Sequence, residues 1–501
     1  MAGYLNAPGG VCLNMKTLGV GLALAVIAPG AWAQTNLPAG RVMSLTDCIG
    51  EALRHNLDVQ FERYEPQINL YNVYVAYGSY DPTLTLGGSH AHDDTGAANS
   101  TNGIIVSDKN SFNSGLNGVL PLGTMYNLSG NVADTYGTTG EESGGQIGLS
   151  VTQPLLKNAW IDTTRKDILI AKNSLKRSEQ QLRLQIITSI TAVENAYYEL
   201  IYARENLKVQ QTALELAQTQ LNQDQQRVQF GSLAPLDVQQ DEAQVAQNRA
   251  NLIAAQYTLA TDQNALKNLI TDNYAQWHDQ DIAPSATLTA VRQLFDVQDS
   301  WSKGLTQRPE LLQAKLDVER QGIILKFDRN QLFPELDLQG TYGYNGAGKE
   351  FSDAFGQYNR ANRPFYSYGA ILTMPLSNTG PRNALKADKA NLEQLLLKLK
   401  QLEQNVMVEI DNAVKQSESA LESVDATKQA RSYAEAALDA EQKKYAVGKS
   451  TTFTVLQLQN NLTAARSQEI RALANYAEAL ANLSEQEGGT IERHHLSLQI
   501  K

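Results

Sequence analysis

The segment that decides the fold is Leu182–Leu200, with the sequence LRLQIITSITAVENAYYEL. Apolar side chains recur in it at intervals of three and four residues, which is the spacing of one helix face in a coiled coil. A second segment, 392–410, repeats this spacing. Both segments therefore predict helices that pack lengthwise against other helices. The apolar positions are Leu182, Ile186, Ile190, Val193, Tyr197 and Leu200 in the first segment, and Leu392, Leu395, Leu399, Leu402, Val406 and Ile410 in the second.

Glycine and proline, the weakest helix formers, are absent for long distances around both segments. Neither occurs between Pro154 and Gly231, nor between Pro381 and Gly448. A helix of about 75 residues is about 110 Å long at 1.5 Å per residue, so each window predicts a rod. Because a second helical stretch follows each glycine, we predict two long α-hairpins with the glycines at their tips. The predicted hairpins cover residues 155–270 and 382–486.

The glycine-rich segments alternate apolar and polar residues with a period of two. From Leu336 to Tyr344, leucine, glycine and tyrosine occupy even positions, while Asp337, Gln339 and Thr341 occupy odd ones. One apolar face over about ten residues, with tyrosines towards one end, is typical of an outer-membrane β-strand. A strand of a soluble sandwich alternates in the same way, so this pattern alone leaves both interpretations open. The predicted strands lie at about 82–92, 146–154, 335–345 and 365–375.

Residues of the first half recur in the second half at fixed offsets and in the same order. The offset is 252 positions around Pro82, 221 around Pro154 and 217 around Gly231. Three successive offsets indicate a duplicated unit of helix, strand, loop, strand, long helix, tip turn and return helix. Matched pairs include Leu53 with Leu305, Pro82 with Pro334, Gly148 with Gly369, Pro154 with Pro375 and Gly231 with Gly448.

The duplication divides the chain into five predicted parts. The first copy is longer, because 60 positions separate Gly88 from Gly148, whereas 29 separate Gly340 from Gly369. The additional residues predict an extra hairpin at about 111–135, and the sequence does not decide whether it joins the other strands or folds away from them. The parts are a signal peptide at 1–33, a first repeat at 34–270, an equatorial linker at 271–303, a second repeat at 304–486 and a C-terminal tail at 487–501.

The N-terminus has the features of an export signal. Lys16 precedes an apolar stretch of about 11 residues, too short to span a bilayer as a helix, and Ala31-Trp32-Ala33 matches a signal-peptidase site. We therefore predict that Gln34 is the first mature residue. Either Met1 or Met15 is the start of translation.

The composition excludes several classes of protein. Forty-two lysines and arginines stand against 53 aspartates and glutamates, and this net charge of -11 argues against a nucleic-acid partner. Two cysteines cannot form a disulfide scaffold or a four-thiolate zinc site. No segment has the 18 consecutive apolar residues of a transmembrane helix. Any membrane-spanning part must therefore consist of β-strands.

Two strand pairs per chain cannot close a barrel, and an open sheet edge in lipid leaves backbone polar groups without partners. Closure therefore requires several copies of the chain, and three copies would contribute twelve strands and six α-hairpins. The predicted fold is mixed α and transmembrane β, in which a trimeric β-barrel continues into a periplasmic α-helical barrel. Such a tube would conduct solutes.

These features resemble the TolC family of trimeric outer-membrane efflux channels over about residues 43 to 486. The paired, ordered occurrence of short motifs carries the resemblance. The second tip differs from the first because it has no aspartate at the matching position. The motifs are Ala52-Leu53-Arg54-His55-Asn56 with Arg308-Pro309-Glu310-Leu311, Gln153-Pro154-Leu155 with Met374-Pro375-Leu376, and Arg227, Gly231 and Asp237-Val238 with Lys444-Tyr445, Gly448 and Thr454-Val455.

The resemblance implies a homotrimer that contacts outer-membrane lipid and extends into the periplasm of a Gram-negative bacterium. It implies a passive channel-tunnel of a tripartite efflux or type I secretion system. Substrates would arrive from an inner-membrane pump of the RND or ABC type through a periplasmic adaptor, or membrane fusion protein. The resemblance also implies no cofactor, and an equatorial belt formed by Asp272 to Ser302 and the tail after Glu487.

The resemblance further implies two sets of functional residues. The tips would contact the adaptor, and carboxylates near the second tip would narrow the periplasmic end. Three copies of Asp439 would form a ring that attracts cations, and a solvated acidic helix face is the alternative. The expected tip contacts are Phe230, Gly231, Ser232, Leu233, Val447, Gly448 and Lys449, and the expected constriction residues are Asp439, Glu435 and Asp224.

An enzyme and a structural protein are the alternative functions. Gly448-Lys449-Ser450 is similar to the end of a phosphate-binding loop, but Lys443 stands where that loop needs glycine. His90 and His92 have no third ligand at a fixed spacing and lie in a predicted surface loop. We therefore predict no catalytic residues and no metal. An exported structural coiled coil or an adaptor-like periplasmic protein stays open as the alternative.

Overall fold

The computed structural model describes residues 41–96, 104–138, 140–231 and 233–496. The predicted signal peptide at 1–33 and the predicted tip residue Ser232 lie outside these ranges. Within the described ranges, no helix combines the length and the apolar character needed to cross a membrane.

Four helices form two long antiparallel hairpins, and the shorter helices surround them. The outgoing helices of the hairpins contain 67 and 68 residues, and both return helices contain 36. The helices are α1 (Leu45–His55), α2 (Leu57–Tyr77), α3 (Thr163–Gln229), α4 (Pro235–Ile270), α5 (Tyr274–Trp277), α6 (Val297–Gln307), α7 (Pro309–Gln331), α8 (Phe351–Arg360), α9 (Thr379–Ala446), α10 (Thr452–Glu487) and α11 (Thr490–Arg493).

The first long helix begins at Thr163, later than the predicted start at residue 155. Asn158 adopts a φ of 64°, which is outside the helical region. Asp162 then caps α3, because its carboxylate accepts a hydrogen bond from the backbone amide of Arg165 at 2.7 Å. The residues after Pro154 therefore form a connection between strand and helix rather than the first turns of the helix.

The second long helix begins at Thr379, slightly earlier than the predicted start at residue 382. Pro381 does not interrupt it, because the first turn of a helix does not need the backbone N–H that proline lacks. The return helix α10 begins after Thr451, whose hydroxyl accepts a hydrogen bond from the amide of Thr454 at 3.3 Å.

The helices lie side by side in one layer, and the layer has two levels. In the level next to the β-sheet the helices follow one another in the order α2, α3, α7, α9. In the level towards the tips the order is α4, α3, α10, α9. The long helices α3 and α9 run through both levels. One edge of the layer is therefore formed by α2 and α4, and the other edge by α9.

The largest hydrophobic core lies midway along α3, within the segment Leu182–Leu200. Tyr197 is fully buried there, and its hydroxyl donates a hydrogen bond to the carbonyl oxygen of Met43 at 3.1 Å. Met43 and Ile282 pack into the same core from a short parallel strand pair. The segment Leu182–Leu200 therefore also holds the short strand pair of Met43 and Ile282 against α3.

Within the described ranges, the strands form a six-stranded antiparallel sheet and a separate two-stranded pair. The strands are β1 (Arg41–Met43), β2 (Thr83–Gly96), β3 (Ile104–Val119), β4 (Met125–Gly137), β5 (Gly140–Pro154), β6 (Ile282–Pro284), β7 (Glu335–Gly348) and β8 (Pro364–Thr373). The order in the sheet is β2-β3-β4-β5-β7-β8. The predicted extra hairpin at 111–135 corresponds to β3 and β4, which are paired within the sheet between β2 and β5.

The prediction of a surface loop around His90 and His92 was wrong. Both histidines lie in β2, because its backbone continues to pair with β3 as far as Gly96. The Nδ1 atom of His92 lies 2.7 Å from a carboxylate oxygen of Asp108 on β3. The long partner strand therefore extends β2 beyond the point where its apolar alternation ends.

Candidate functional site

The residues predicted to be functional lie at and near the free ends of the two α-hairpins. Gly231 and Gly448 follow the ends of α3 and α9 with φ values of 66° and 74°. A Cβ atom at either position would have no neighbour within 4 Å. The left-handed backbone conformation, rather than close packing, therefore requires glycine at both tips.

The second tip is closed by backbone hydrogen bonds. The amide of Lys449 donates to the carbonyl of Lys444 at 2.9 Å, and the amide of Gly448 donates to the carbonyl of Tyr445 at 3.0 Å. These two bonds form a Schellman motif, which satisfies the last carbonyl groups of α9. The turn is thus held in one conformation by its own backbone.

Both tips present apolar side chains to solvent. Phe230 is 85% exposed at the first tip, and Val447 is 68% exposed at the second. Leu236 and Phe453, at the starts of the return helices, are also exposed. Leu233 is half-buried. Apolar side chains concentrated at an exposed end are typical of a protein contact surface.

Behind the tips, one buried carboxylate connects three of the four hairpin helices. Asp224 on α3 has no solvent exposure. It accepts hydrogen bonds from the hydroxyl of Tyr445 on α9, at 2.8 and 2.9 Å, and from the amide of Gln220 at 2.7 Å. The hydroxyl of Thr452 on α10 lies 3.5 Å away.

Asp241 brings the fourth helix, α4, into this group. It is 1% exposed, and both its carboxyl oxygens lack a hydrogen-bond donor among the described residues. Burial, followed by the neighbouring charge of Asp224, raises the pKa of Asp241 to about 7. Two adjoining carboxyl groups can hydrogen-bond to each other only if one is protonated, so the folded structure favours a proton at this pair.

An arginine completes the arrangement. A guanidinium nitrogen of Arg227 lies 3.6 Å from the carboxylate of Asp224, and the guanidinium stacks 4.6 Å above the ring of Tyr445. We refer to this group as the tip cluster. The tip cluster consists of Gln220, Asp224, Arg227, Asp241, Tyr445 and Thr452.

The three predicted constriction residues have different environments. Asp439 is exposed and pairs with Lys443 at 2.6 Å, and Glu435 is exposed and pairs with Arg466 at 2.7 Å. Asp224 does not share this exposed surface, because it lies inside the tip cluster. The interpretation of Asp224 as a residue that lines a passage therefore does not hold.

Sequence reasoning missed the partners of Asp224. No sequence motif points to Asp241, Thr452 or Gln220, and Tyr445 belongs only to the motif of the second tip. A signal was present, because Asp224 continues the buried positions Ala213, Ala217 and Gln220 at intervals of four, three and four. That spacing places Asp224 on the face of α3 that packs against other helices.

The two histidines of β2 contact a carboxylate of the neighbouring strand. Within the described residues, no group of three or more histidine, cysteine, aspartate or glutamate side chains is arranged to hold a metal ion. His90 and His92 both lie near Asp108 on β3, at 3.7 and 2.7 Å. These contacts join two paired strands.

The α2 edge of the helix layer carries an uncovered apolar stripe, which we call the α2 seam. Its six residues recur at alternating intervals of four and three, and each is between 49% and 73% exposed. The opposite face of α2 packs against α3 through buried positions that include Val59 and Val73. A helix that is apolar on two faces needs two partners. The α2 seam consists of Leu57, Phe61, Tyr64, Ile68, Tyr71 and Val75.

Comparison with known proteins agrees with this architecture. A profile of the family described as outer membrane efflux protein matches residues 48–271 and 301–489. The pyoverdine export outer membrane protein OpmQ of Pseudomonas aeruginosa is 25% identical over 334 residues, which cover 64% of this chain and 65% of OpmQ. The outer membrane protein TolC of Escherichia coli is 26% identical over 390 residues, which cover 74% of this chain and 75% of TolC. The chain thus spans just under two thirds of OpmQ.

Solved structures have the same fold. The outer-membrane channel OprN superposes with a TM-score of 0.67 at 15% identity, over 89% of this chain and 90% of OprN. The outer membrane protein VceC of Vibrio cholerae superposes with a TM-score of 0.66 at 18% identity, over 89% of this chain and 96% of VceC. Since the family profile also matches most of the sequence, this chain belongs to the outer membrane efflux protein family, the TolC family of channels.

Proposed function

We propose that the chain is one third of a homotrimeric channel-tunnel that conducts substrates passively across the outer membrane and the periplasm. One observation carries this proposal: among the described residues, nothing covers the two edges of the sheet or the two edges of the helix layer, and these edges lie on the same two sides. On one side α2 leads into β2, and on the other β8 leads into α9. A neighbouring copy that covers one edge therefore covers the other as well.

The physical chemistry of these edges favours a second copy as the partner. In the described part of the chain, strands β2 and β8 each have one paired neighbour in the sheet, so each carries a row of backbone groups without a partner there. In lipid such groups need hydrogen-bond partners. The α2 seam needs an apolar partner in the same way, and α9 offers exposed Leu397 and Val408 on the opposite edge. Contacts of this head-to-tail kind form a ring when the rotation between neighbouring copies closes, and a 120° rotation closes it with three copies.

Internal duplication supports the same assembly. Helices α3 and α9 contain 67 and 68 residues, α4 and α10 contain 36 each, and α1 and α6 contain 11 each. We therefore interpret 34–270 and 304–486 as two copies of one unit, with 271–303 and the tail 487–501 forming a belt around the middle. Three chains would then contribute six similar units to the tube.

The tips are the proposed contact with a periplasmic adaptor that connects the channel to an inner-membrane pump. Exposed Phe230 and Val447 supply apolar surface, and the two glycines fix the shape of the turns. Residues 1–33 would direct export. The related protein OpmQ is named for pyoverdine export.

We also propose that acidic side chains narrow the periplasmic end. Three copies of Asp439 would place negative charge around one axis and attract cations. Lys443 lies 2.6 Å from this carboxylate within each chain, so the ring would be partly neutralised. Opening would require the two hairpins of each chain to separate at the tip cluster.

The purified protein in mild detergent tests the proposal. A trimer that forms discrete ion channels in a planar bilayer is the expected result. A monomer, or a trimer without conductance, would contradict the channel. A soluble periplasmic protein would instead favour the structural alternative.

A further inference from the structure

We infer that the outer-membrane pore of this protein is an 18-stranded barrel, wider than the 12-stranded ring that four strands per chain would form. This inference rests on the proposed trimeric channel. It comes from the position of the hairpin β3–β4, which lies in the middle of the sheet between β2 and β5. The corresponding strands of the second repeat, β7 and β8, pair directly with each other.

The hairpin is long enough to belong to the membrane-spanning wall. Strand β3 contains 16 residues and β4 contains 13, whereas a transmembrane β-strand needs about 9–11. Pairing is continuous from Thr83 with Asn117 to Gly96 with Ile104, and from Val119 with Met125 to Ser107 with Gly137. A hairpin that folded outside the barrel wall would not need two strands of this length, each paired with a neighbouring strand on both sides.

Apolar and polar rows cross all six strands without a break. One row of directly paired residues consists of Leu84, Leu116, Leu128, Leu149, Tyr342 and Tyr366. The adjacent row, on the opposite face, consists of Thr83, Asn117, Asn127, Ser150, Thr341 and Ser367. Successive residues of a strand point to opposite faces. At the level of these two rows, the hairpin therefore shares one apolar face and one polar face with the other four strands, as in the wall of a membrane barrel.

The turn of the hairpin is fixed against the end of the sheet that adjoins the helices. Gly123 in this turn has a φ of 81°, and a Cβ atom there would lie 2.7 Å from the Arg165 side chain. The side-chain amide of Gln153 donates to the carbonyl of Leu122 at 3.4 Å, and the Thr124 hydroxyl bonds to the same side chain. The hairpin thus begins at the periplasmic rim and runs the full height of the wall.

Two additional strands leave the closure of the ring intact. An even insertion keeps β2 and β8 running in opposite directions, so neighbouring copies can still pair antiparallel. With strands about 4.8 Å apart and tilted by about 40°, the backbone radius is about 12 Å for 12 strands and about 18 Å for 18. Twelve helices about 9–10 Å apart have a circumference of about 110–120 Å, close to the roughly 110 Å of 18 strands.

Graded labelling tests the width of the pore. A cysteine replaces Ser367, which is exposed on the polar face of β8, and maleimides are added outside intact cells. Cys48 is fully buried and stays as it is. The matched variant lacks residues 104–137, so that 97–103 and 138–139 form a single connection from β2 to β5. Subtracting about 5 Å for side chains from the backbone radii leaves a lumen radius of about 7 Å for 12 strands and about 13 Å for 18. A polymer maleimide with a radius of about 10 Å lies between these values, so it should enter only the wider barrel.

We expect the polymer to label the full chain readily and the deletion variant at least tenfold more slowly, while a small maleimide labels both within twofold. Equal polymer rates would overturn the wider barrel. Failure of the small maleimide to reach Ser367→Cys in the full chain would instead contradict the channel itself. If the deletion variant does not assemble, electron cryo-microscopy of the wild-type trimer decides. Eighteen strands are expected, and twelve with the hairpin outside the wall would overturn the inference.

Discussion

The hydroxyl of Tyr445 on α9 donates a hydrogen bond to the buried carboxylate of Asp224 on α3, with oxygen–oxygen distances of 2.8 and 2.9 Å. This bond joins the two α-hairpins of one chain immediately behind their tips. A carboxylate without solvent exposure depends on such donors, because an unsatisfied buried charge is costly. Separation of the hairpins must therefore break this bond. While the tip is closed, the carboxylate has no contact with water, so water cannot take the place of the tyrosine hydroxyl.

We predict that Tyr445→Phe favours the open tip. The substitution removes one donor from a buried acceptor, which costs about 1–3 kcal/mol in the closed state. The open fraction should then rise by a factor of about 5 to 150. Single-channel recording in planar bilayers measures this as longer or larger openings at neutral pH.

Tyr433→Phe is the matched control for this substitution. Tyr433 lies on the same helix, and it is 72% exposed. The removal of its hydroxyl should leave the recordings unchanged. Equal behaviour of both variants would show that the Tyr445 bond does not hold the tip closed.

Asp241 should make stability depend on pH. The pKa of this carboxyl is about 7 in the folded protein, mainly through burial, and near 4 when unfolded. Between these pH values the folded state binds more protons than the unfolded state. The contribution of this carboxyl group to stability is therefore fully present below about pH 4 and is lost as the pH rises through about 7. We expect Asp241→Asn to remove this loss, and to unfold at a higher temperature than wild type at pH 8.

The control for Asp241 is Glu242→Gln, an exposed neighbour on α4. Thermal unfolding of wild type and both variants at pH 5 and pH 8 tests the assignment. The melting temperature of wild type and Glu242→Gln should fall between these pH values by more than that of Asp241→Asn. Parallel behaviour of all three proteins would mean that Asp241 does not retain a proton.

Sequence pattern predicted the long hairpins well, because long windows without glycine and proline allow a long helix to continue. It predicted the start of α3 poorly, because Asp162 and the turn at Asn158 stop the helix in a segment without glycine or proline. It also ended the first predicted strand at about residue 92, whereas β2 continues to Gly96. Polar Asp93 and Asp94 follow there, and pairing with β3 maintains the extended backbone.

The tip cluster lies beyond local pattern for a different reason. Its members come from four helices separated by up to 232 positions, from Gln220 to Thr452. The contacts among them depend on the register in which α3, α4, α9 and α10 pack. The sequence leaves the place of the extra hairpin open for the same reason. Only the pairing of β3 with β2 and of β4 with β5 shows that the hairpin joins the sheet.

Asp439 should control block of the channel by divalent cations. Asp439→Ala removes one charge per chain, so the concentration of divalent cation that halves the current should rise several-fold. Lys443→Ala removes the ammonium group 2.6 Å away and should lower that concentration. Asp425→Ala, an exposed acid further up α9, is the control. An unchanged block in both Asp439 and Lys443 variants would leave Asp439 as a solvated surface residue.

Ile68→Glu should prevent assembly. Ile68 lies in the middle of the α2 seam, and each trimer would contain three unpaired carboxylates at apolar contacts between copies. We expect the trimer fraction in native electrophoresis to fall at least tenfold. Gln67→Glu adds the same charge at the adjacent exposed position outside the seam and should assemble normally. Normal assembly of Ile68→Glu would mean that another surface joins the copies.

The tail should be held to α3 by a buried charge. Glu194 has no solvent exposure, and its carboxylate lies 3.1 Å from a ring nitrogen of His494 and 3.8 Å from a guanidinium nitrogen of Arg493. Alanine at both 493 and 494 leaves this carboxylate unpaired, which should cost about 3–5 kcal/mol of unfolding free energy. Adding Glu194→Gln removes the charge and should restore most of that loss in denaturant unfolding. If the third substitution restores nothing, the tail contributes through packing, since Ile491 is also buried in the central core.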